Sequence, residues 1–94
     1  MEHIIYLSDE FTNIHTSKDE YLNLNDRICM IETRKKERIY FKIISETAKT
    51  FTGIRLQQDQ YNNNKFYLTD EKNKWHGIIN DGSFVKGRWI CVFN

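Results

Sequence analysis

The side chains that could act on a substrate are few and scattered in this 94-residue chain. His3, His15 and His76 are isolated, and neither Cys29 nor Cys91 has a partner at zinc-ligand spacing. No metal and no cofactor is therefore expected. The chain contains no G-x-S-x-G nucleophile elbow and no P-loop. Gly77, Gly82 and Gly87 read as turn or bulge glycines, with no helix following to turn its dipole on a phosphate. Both cysteines sit inside apolar runs, where burial would keep each thiol protonated and inert.

One reaction remains open to these residue types. A metal-independent ribonuclease needs a general base, a general acid and a cation near the phosphate. His76 stands beside Trp75, between Lys74 and Arg88 in the sequence, and Glu32 or Glu46 could serve as base. Such residues recur in most proteins by chance, so the expectation is a protein that is not an enzyme.

The elements that must position these residues are strands. Apolar residues recur with a period of two almost throughout. His3–Leu7 reads as a first strand and not as a secretion signal, since no basic segment precedes it. Residues 8–26 read as irregular and acidic, with at most one short helix after Ser17-Lys18-Asp19-Glu20, which has the form of a capping box. Strands follow at 27–32, 38–44 and 50–56, with Gly53 marking a bulge or a close backbone approach. Lys65–Thr69 and Trp75–Ile79 are further strands. Asp81-Gly82 is the strongest hairpin signal, and the last segment, 84–93, bends at Lys86-Gly87. Trp75 and Trp89 are expected in the core or at its edge. Residues 1–94 thus read as one mainly β domain: a small SH3-like or OB-like barrel of six or seven short antiparallel strands.

Composition narrows the function classes. Hydrophobic residues make up 39%, aromatic residues 14% and charged residues 29%, a globular balance. No stretch approaches the length of a membrane helix, so no membrane partner is expected, and the expected compartment is the cytoplasm. Net charge is +1 but unevenly spread. Residues 1–26 hold six acids against Lys18 alone, and residues 27–56 hold eight bases against three acids. A general nucleic-acid binder would be basic overall, whereas this chain is dipolar.

Strand alternation suggests a working surface. With Ile39/Phe41/Ile43, Thr52/Ile54/Leu56 and Phe66/Leu68 turned inward, Arg38, Tyr40, Lys42, Phe51, Arg55, Lys65 and Tyr67 would share an outer face. Lys35 and Lys36 would stand at its rim to steer a partner. Exposed Tyr, Phe and Arg are residues that anchor protein interfaces, and the same mixture can stack and neutralise single-stranded nucleic acid. The acidic first segment favours a protein partner over RNA or single-stranded DNA, and self-association into a homo-oligomer is compatible with the dipole. Abundant Ile, Asn and Lys, with no Pro and only Ala48 as alanine, suit AT-rich coding. The expectation is a small binding protein, an inhibitor or accessory factor of a phage or mobile element.

Overall fold

Strands dominate the computed structural model, which describes residues 2–17, 19–69 and 83–93 and contains no helix among them. The strands are β1 (Glu2–Tyr6), β2 (Phe11–His15), β3 (Ile28–Glu32), β4 (Arg38–Glu46), β5 (Thr50–Arg55), β6 (Gln57–Gln58), β7 (Lys65–Thr69), β8 (Ser83–Val85) and β9 (Trp89–Phe93). They form two antiparallel sheets, one ordered β1-β7-β6 and the other β2-β9-β3-β4-β5-β8. Neither sheet is closed on itself by strand pairing among the described residues, so the expected barrel is not formed by hydrogen-bonded closure.

Alternation in β3, β4 and β9 sends Cys29, Ile31, Ile39, Phe41, Ile43, Ile90 and Val92 to one face of the six-stranded sheet, where they are buried. Burial of this kind contributes about 25 cal/mol per Å² of apolar surface removed from water. The opposite face carries Ile28, Tyr40 and Ile54, which pack on a second cluster of Leu56, Phe66 and Leu68. That second cluster joins the sheets. Leu56 lies at the crossing from β5 to β6, its amide donating to the Tyr40 carbonyl at 2.8 Å.

Strand β5 is therefore covered on both faces, and its parity differs from the sequence reading. Phe51 is fully buried in the first cluster, while Ile54 faces the second. Register sets Arg55, Ile54 and Gly53 opposite Phe41, Lys42 and Ile43, so Ile54 shares the Lys42 face; beyond Ile43 a shift inserts an extra β4 residue and sets Glu46 opposite Phe51. Gly53 meets the expectation of a close approach. A Cβ there would stand 3.0 Å from the Lys42 carbonyl oxygen and 3.2 Å from the Phe41 Cβ.

Residues 16–27 form no helix among those described, and their backbone explains why. Asp19, Asn23 and Asp26 have φ values of 63°, 57° and 66°, left-handed conformations that a right-handed helix cannot contain. The segment is held to the sheet instead. Asp26 N–H donates to the Ile43 carbonyl at 2.7 Å, and Ile43 N–H returns a bond to Arg27 at 2.9 Å.

Lys86 anchors the same segment from within. Its ammonium is fully buried and lies 2.6 Å from the Glu46 carboxylate. It also donates to the Glu20 carbonyl, and the Phe51 ring lies 4.6 Å from it. Glu46 in turn accepts from the amides of Leu22 at 2.5 Å and Leu24 at 3.1 Å. Burial pushes the Glu46 carboxyl pKa up, but the Lys86 hydrogen bond and the two amides outweigh it, leaving a net pKa below the usual carboxylate range. Next to this pair, buried Thr16 closes the β8–β9 corner. Its Oγ1 accepts from Gly87 N–H at 2.9 Å, and its N–H donates to the Arg88 carbonyl at 3.0 Å. Gly87 has φ 113°, which permits the bend expected at Lys86-Gly87.

Other expectations divide. Within residues 8–26, read as irregular, lies the strand β2, and between the expected strands at 50–56 and 65–69 lies the short β6. The turn at Asp70–Asn73, the strand at Trp75–Ile79 and the Asp81-Gly82 hairpin lie outside the described residues. Trp89 is not core: it is 66% exposed.

Two stability outcomes follow. Replacing Gly53 with Ala should destabilise by about 1–3 kcal/mol, because backbone and not a flexible tip would have to move; denaturant titration reads this. Lys86→Met or Glu46→Gln should each cost about 3–5 kcal/mol by stranding the other member. The folded-state pKa of Glu46 lies below its unfolded value, so its contribution is complete well above about pH 4.3 and is lost as pH falls through the folded pKa. Thermal melts of wild type and Glu46→Gln across that range should therefore converge on acidification.

Candidate binding face

The open part of the six-stranded sheet lies at its β2-β9-β3-β4 end, on the face opposite the first core. Register places side chains there in rows: Phe11 opposite Phe93, Asn13 opposite Cys91, and His15 opposite Trp89. Met30 continues the Cys91 row onto Tyr40, and Glu32 pairs with Arg38. Two clefts run along this surface. One, of 360 Å³, lies where Leu7, Asp9 and Asn64 approach Phe11, Arg38 and Tyr40. The other, of 410 Å³, is bounded by Trp89 and Glu32. They share Asn13, Met30 and Cys91, so the two form one continuous groove.

Aromatic side chains line it. Phe11 and Phe93 are tilted with centroids 5.9 Å apart, and His15 meets Trp89 edge-on at 5.2 Å. Tyr40 lies against Phe66 at 4.5 Å and Phe93 at 5.9 Å, which anchors the floor to the second cluster. Phe11 is 50% exposed. Arg38 is exposed and makes no hydrogen bond or ion pair among the described residues. Arg88 is committed differently, donating to the Glu32 carbonyl at 2.9 Å.

The groove holds a thiol, but a passive one. Cys91 was expected to be buried; it is half-buried on the groove floor, and its Sγ donates to Asn13 Oδ1 at 2.6 Å. Burial pushes its pKa up, and the field of Arg38 only partly opposes this. Cys29 is fully buried, and desolvation raises it to about 12. Neither is a thiolate at neutral pH.

The residues expected to share one outer face are distributed over three surfaces. Arg38 and Tyr40 lie on the groove. Lys42 is half-buried between Ile28 and Ile54 in the ladder, under the second sheet's end of the same face. Phe51 is the clear correction: it is a core ring against Lys86, not an exposed stacker. Arg55 pairs with Phe41 and so belongs to the face opposite Tyr40. Lys65 and Tyr67 stand on the outer face of the three-stranded sheet, opposite exposed Tyr6 and Ile4. There Tyr67 donates to Asp59 at 2.6 Å, and Lys65 lies 5.4 Å from the Tyr67 ring. Lys35 and Lys36 are exposed at the β3–β4 turn, beyond the Glu32–Arg38 end of the groove.

Sequence reasoning missed Phe11, Asn13, His15, Trp89 and Phe93. For Trp89 and Phe93 a signal was present in β9, where Trp89, Cys91 and Phe93 alternate with aliphatic Ile90 and Val92; Phe11, Asn13 and His15 lie in β2, whose pattern carries no such signal. Of the ribonuclease candidates, Glu46 is taken up by the buried ion pair, and His76 lies outside the described residues. Comparison of the chain with protein-family models, with curated proteins and with solved structures finds no match. No helix among the described residues is long and apolar enough to cross a membrane.

The thiol geometry sets a direct outcome. At neutral pH Cys91 should react with a soluble disulfide reagent well below the rate of an unhindered thiol, and Cys29 not at all until denaturant is added, because a raised pKa lowers the thiolate fraction. Rapid modification of either thiol in the native protein would contradict this arrangement.

Proposed function

We propose that this protein is a non-enzymatic binding module that docks a protein partner on the groove face of its six-stranded sheet. One observation carries the reading: exposed Trp89 and Phe11 flank a continuous groove that also contains an unpaired Arg38. Trp, Tyr and Arg are the residue types that dominate interface energetics when a partner desolvates them. Few of the groove's side chains are charged, and Asp9 and Glu32 offset Arg38 along it. That mixture suits a protein better than a polyanion. Lys35 and Lys36 stand where they would steer an acidic partner toward Arg38.

A barrel-like architecture is the corresponding reading of the fold. Support comes from the first cluster, to which four strands of one sheet contribute and over which no second sheet lies among the described residues. A sheet that buries its own face in this way has to coil. The bonds from Thr16, just past β2, to the β8–β9 corner draw the two edges toward each other.

The test is capture from an extract of the producing cell, with the immobilised protein and three variants. A nuclease-resistant protein should be retained by wild type and by Tyr61→Ala, a distant exposed control. It should be lost with Trp89→Ala and with Arg38→Ala, each expected to weaken binding about 30-fold or more. Equal recovery on all four would remove the groove from the account. A captured species that disappears on nuclease treatment, with steep salt dependence, would favour the single-stranded nucleic-acid reading instead.

A further inference from the structure

We propose that β2 is a self-pairing edge, through which two copies of this chain join antiparallel into one continuous sheet. Among the described residues the two sheets present four edge strands: β1, β6, β2 and β8. Exposed edges invite pairing unless shortness, charge, proline or a bulge discourages it. β6 has two residues, β8 has three, and β1 carries Glu2. β2 has none of these guards. Its sequence, Phe-Thr-Asn-Ile-His, is uncharged and free of proline, and its five-residue register with β9 is unbroken. Phe11, Thr12, Asn13 and His15 are all exposed.

A second copy fits this edge in one register above others. Residues directly opposite in an antiparallel pair share a face, so a two-fold pairing that overlaps the whole strand must be centred on Asn13. Phe11 then faces His15 of the other copy, Thr12 faces Ile14, and Asn13 faces its own counterpart. Within each copy Phe11 already touches Phe93, and His15 touches Trp89. The pairing would thus join the ring contacts into two symmetry-related four-ring ladders, Phe93–Phe11–His15–Trp89, each crossing the interface once. Cross-strand aromatic pairs of this kind are favourable units of sheet stability.

Charge agrees with the register. Continued past the strand, it sets Glu10 opposite Thr16 of the other copy, whose backbone is bonded to Arg88. Between residues 9 and 17 no two like charges face each other. The inference does not rest on the groove's partner, because it uses the backbone edge of β2, although Phe11 and Trp89 of the ring row also flank the groove.

Sedimentation equilibrium of the intact protein, from low micromolar to near-millimolar concentration, decides the matter. Wild type should pass from the 11.4 kDa monomer to a dimer as concentration rises. Asn13→Lys and Asn13→Asp each place like charges against one another on the two-fold, and each alone should self-associate about tenfold more weakly or worse. Mixing the two variants should restore the dimer, which also shows that both are folded. A wild type that stays monomeric throughout would overturn the proposal. So would a dimer indifferent to Asn13→Lys, or a mixture of the variants that fails to associate.

Discussion

The buried contact between Lys86 and Glu46 is the constraint around which the larger sheet is organised. A lysine with a fully buried side chain is costly to desolvate, and such a group persists only where its N–H bonds are met. Here the Glu46 carboxylate and the Glu20 carbonyl accept two of them, with the Phe51 ring close by. Because Glu46 ends β4, Lys86 follows β8, and Glu20 through Leu24 belong to a segment without regular structure, one ion pair ties three separate stretches of chain together. The amides of Leu22 and Leu24 find their acceptor in the same carboxylate. Replacing the pair with hydrocarbon would therefore not be neutral, since two amides would be left without partners.

This corner also determines which surface remains available. Phe51 is drawn inward beside Lys86, and the bulge in β4 accommodates the resulting alternation in β5. With that face filled and the β4–β5 part of the opposite face covered by the three-stranded sheet, the β2-β9 end is what stays open. The rings of Phe11 and Trp89 are exposed there because nothing among the described residues is layered over them. Polar side chains in the groove, Asn13 and Arg38 among them, sit beside a thiol that burial holds protonated. On the proposed reading, the groove recognises its partner by shape, rings and hydrogen bonds.

Much of the fold was legible as alternation. β4 and β7 follow the period-two pattern closely, β3 and β9 read as apolar runs of strand length, and the glycine signals at Gly53 and Gly87 had the meanings their positions suggested. Three features were not legible, each for a physical reason. β2 is an edge strand with only Ile14 half-buried, so its apolar pattern is too weak to distinguish it from a loop. β5 is covered on both faces, and its pairing of Lys42 with Ile54 sets its phase, which no local pattern encodes. The inward turn of Lys86 depends on an acid forty residues earlier in the chain, whereas a lone lysine in sequence reads as solvent-exposed. The expected common face consequently keeps Arg38 and Tyr40 together on one side of β4, but Phe51, Arg55, Lys65 and Tyr67 do not share it.

The account stands on which side chains face water. Solvent paramagnetic relaxation, with a soluble gadolinium chelate and side-chain NMR signals, measures that directly. It should strongly broaden the Trp89 indole and the Phe11 ring while sparing the Phe51 ring and the Lys86 ammonium. Strong broadening of Phe51 and Lys86, with Trp89 and Phe11 protected, would contradict it.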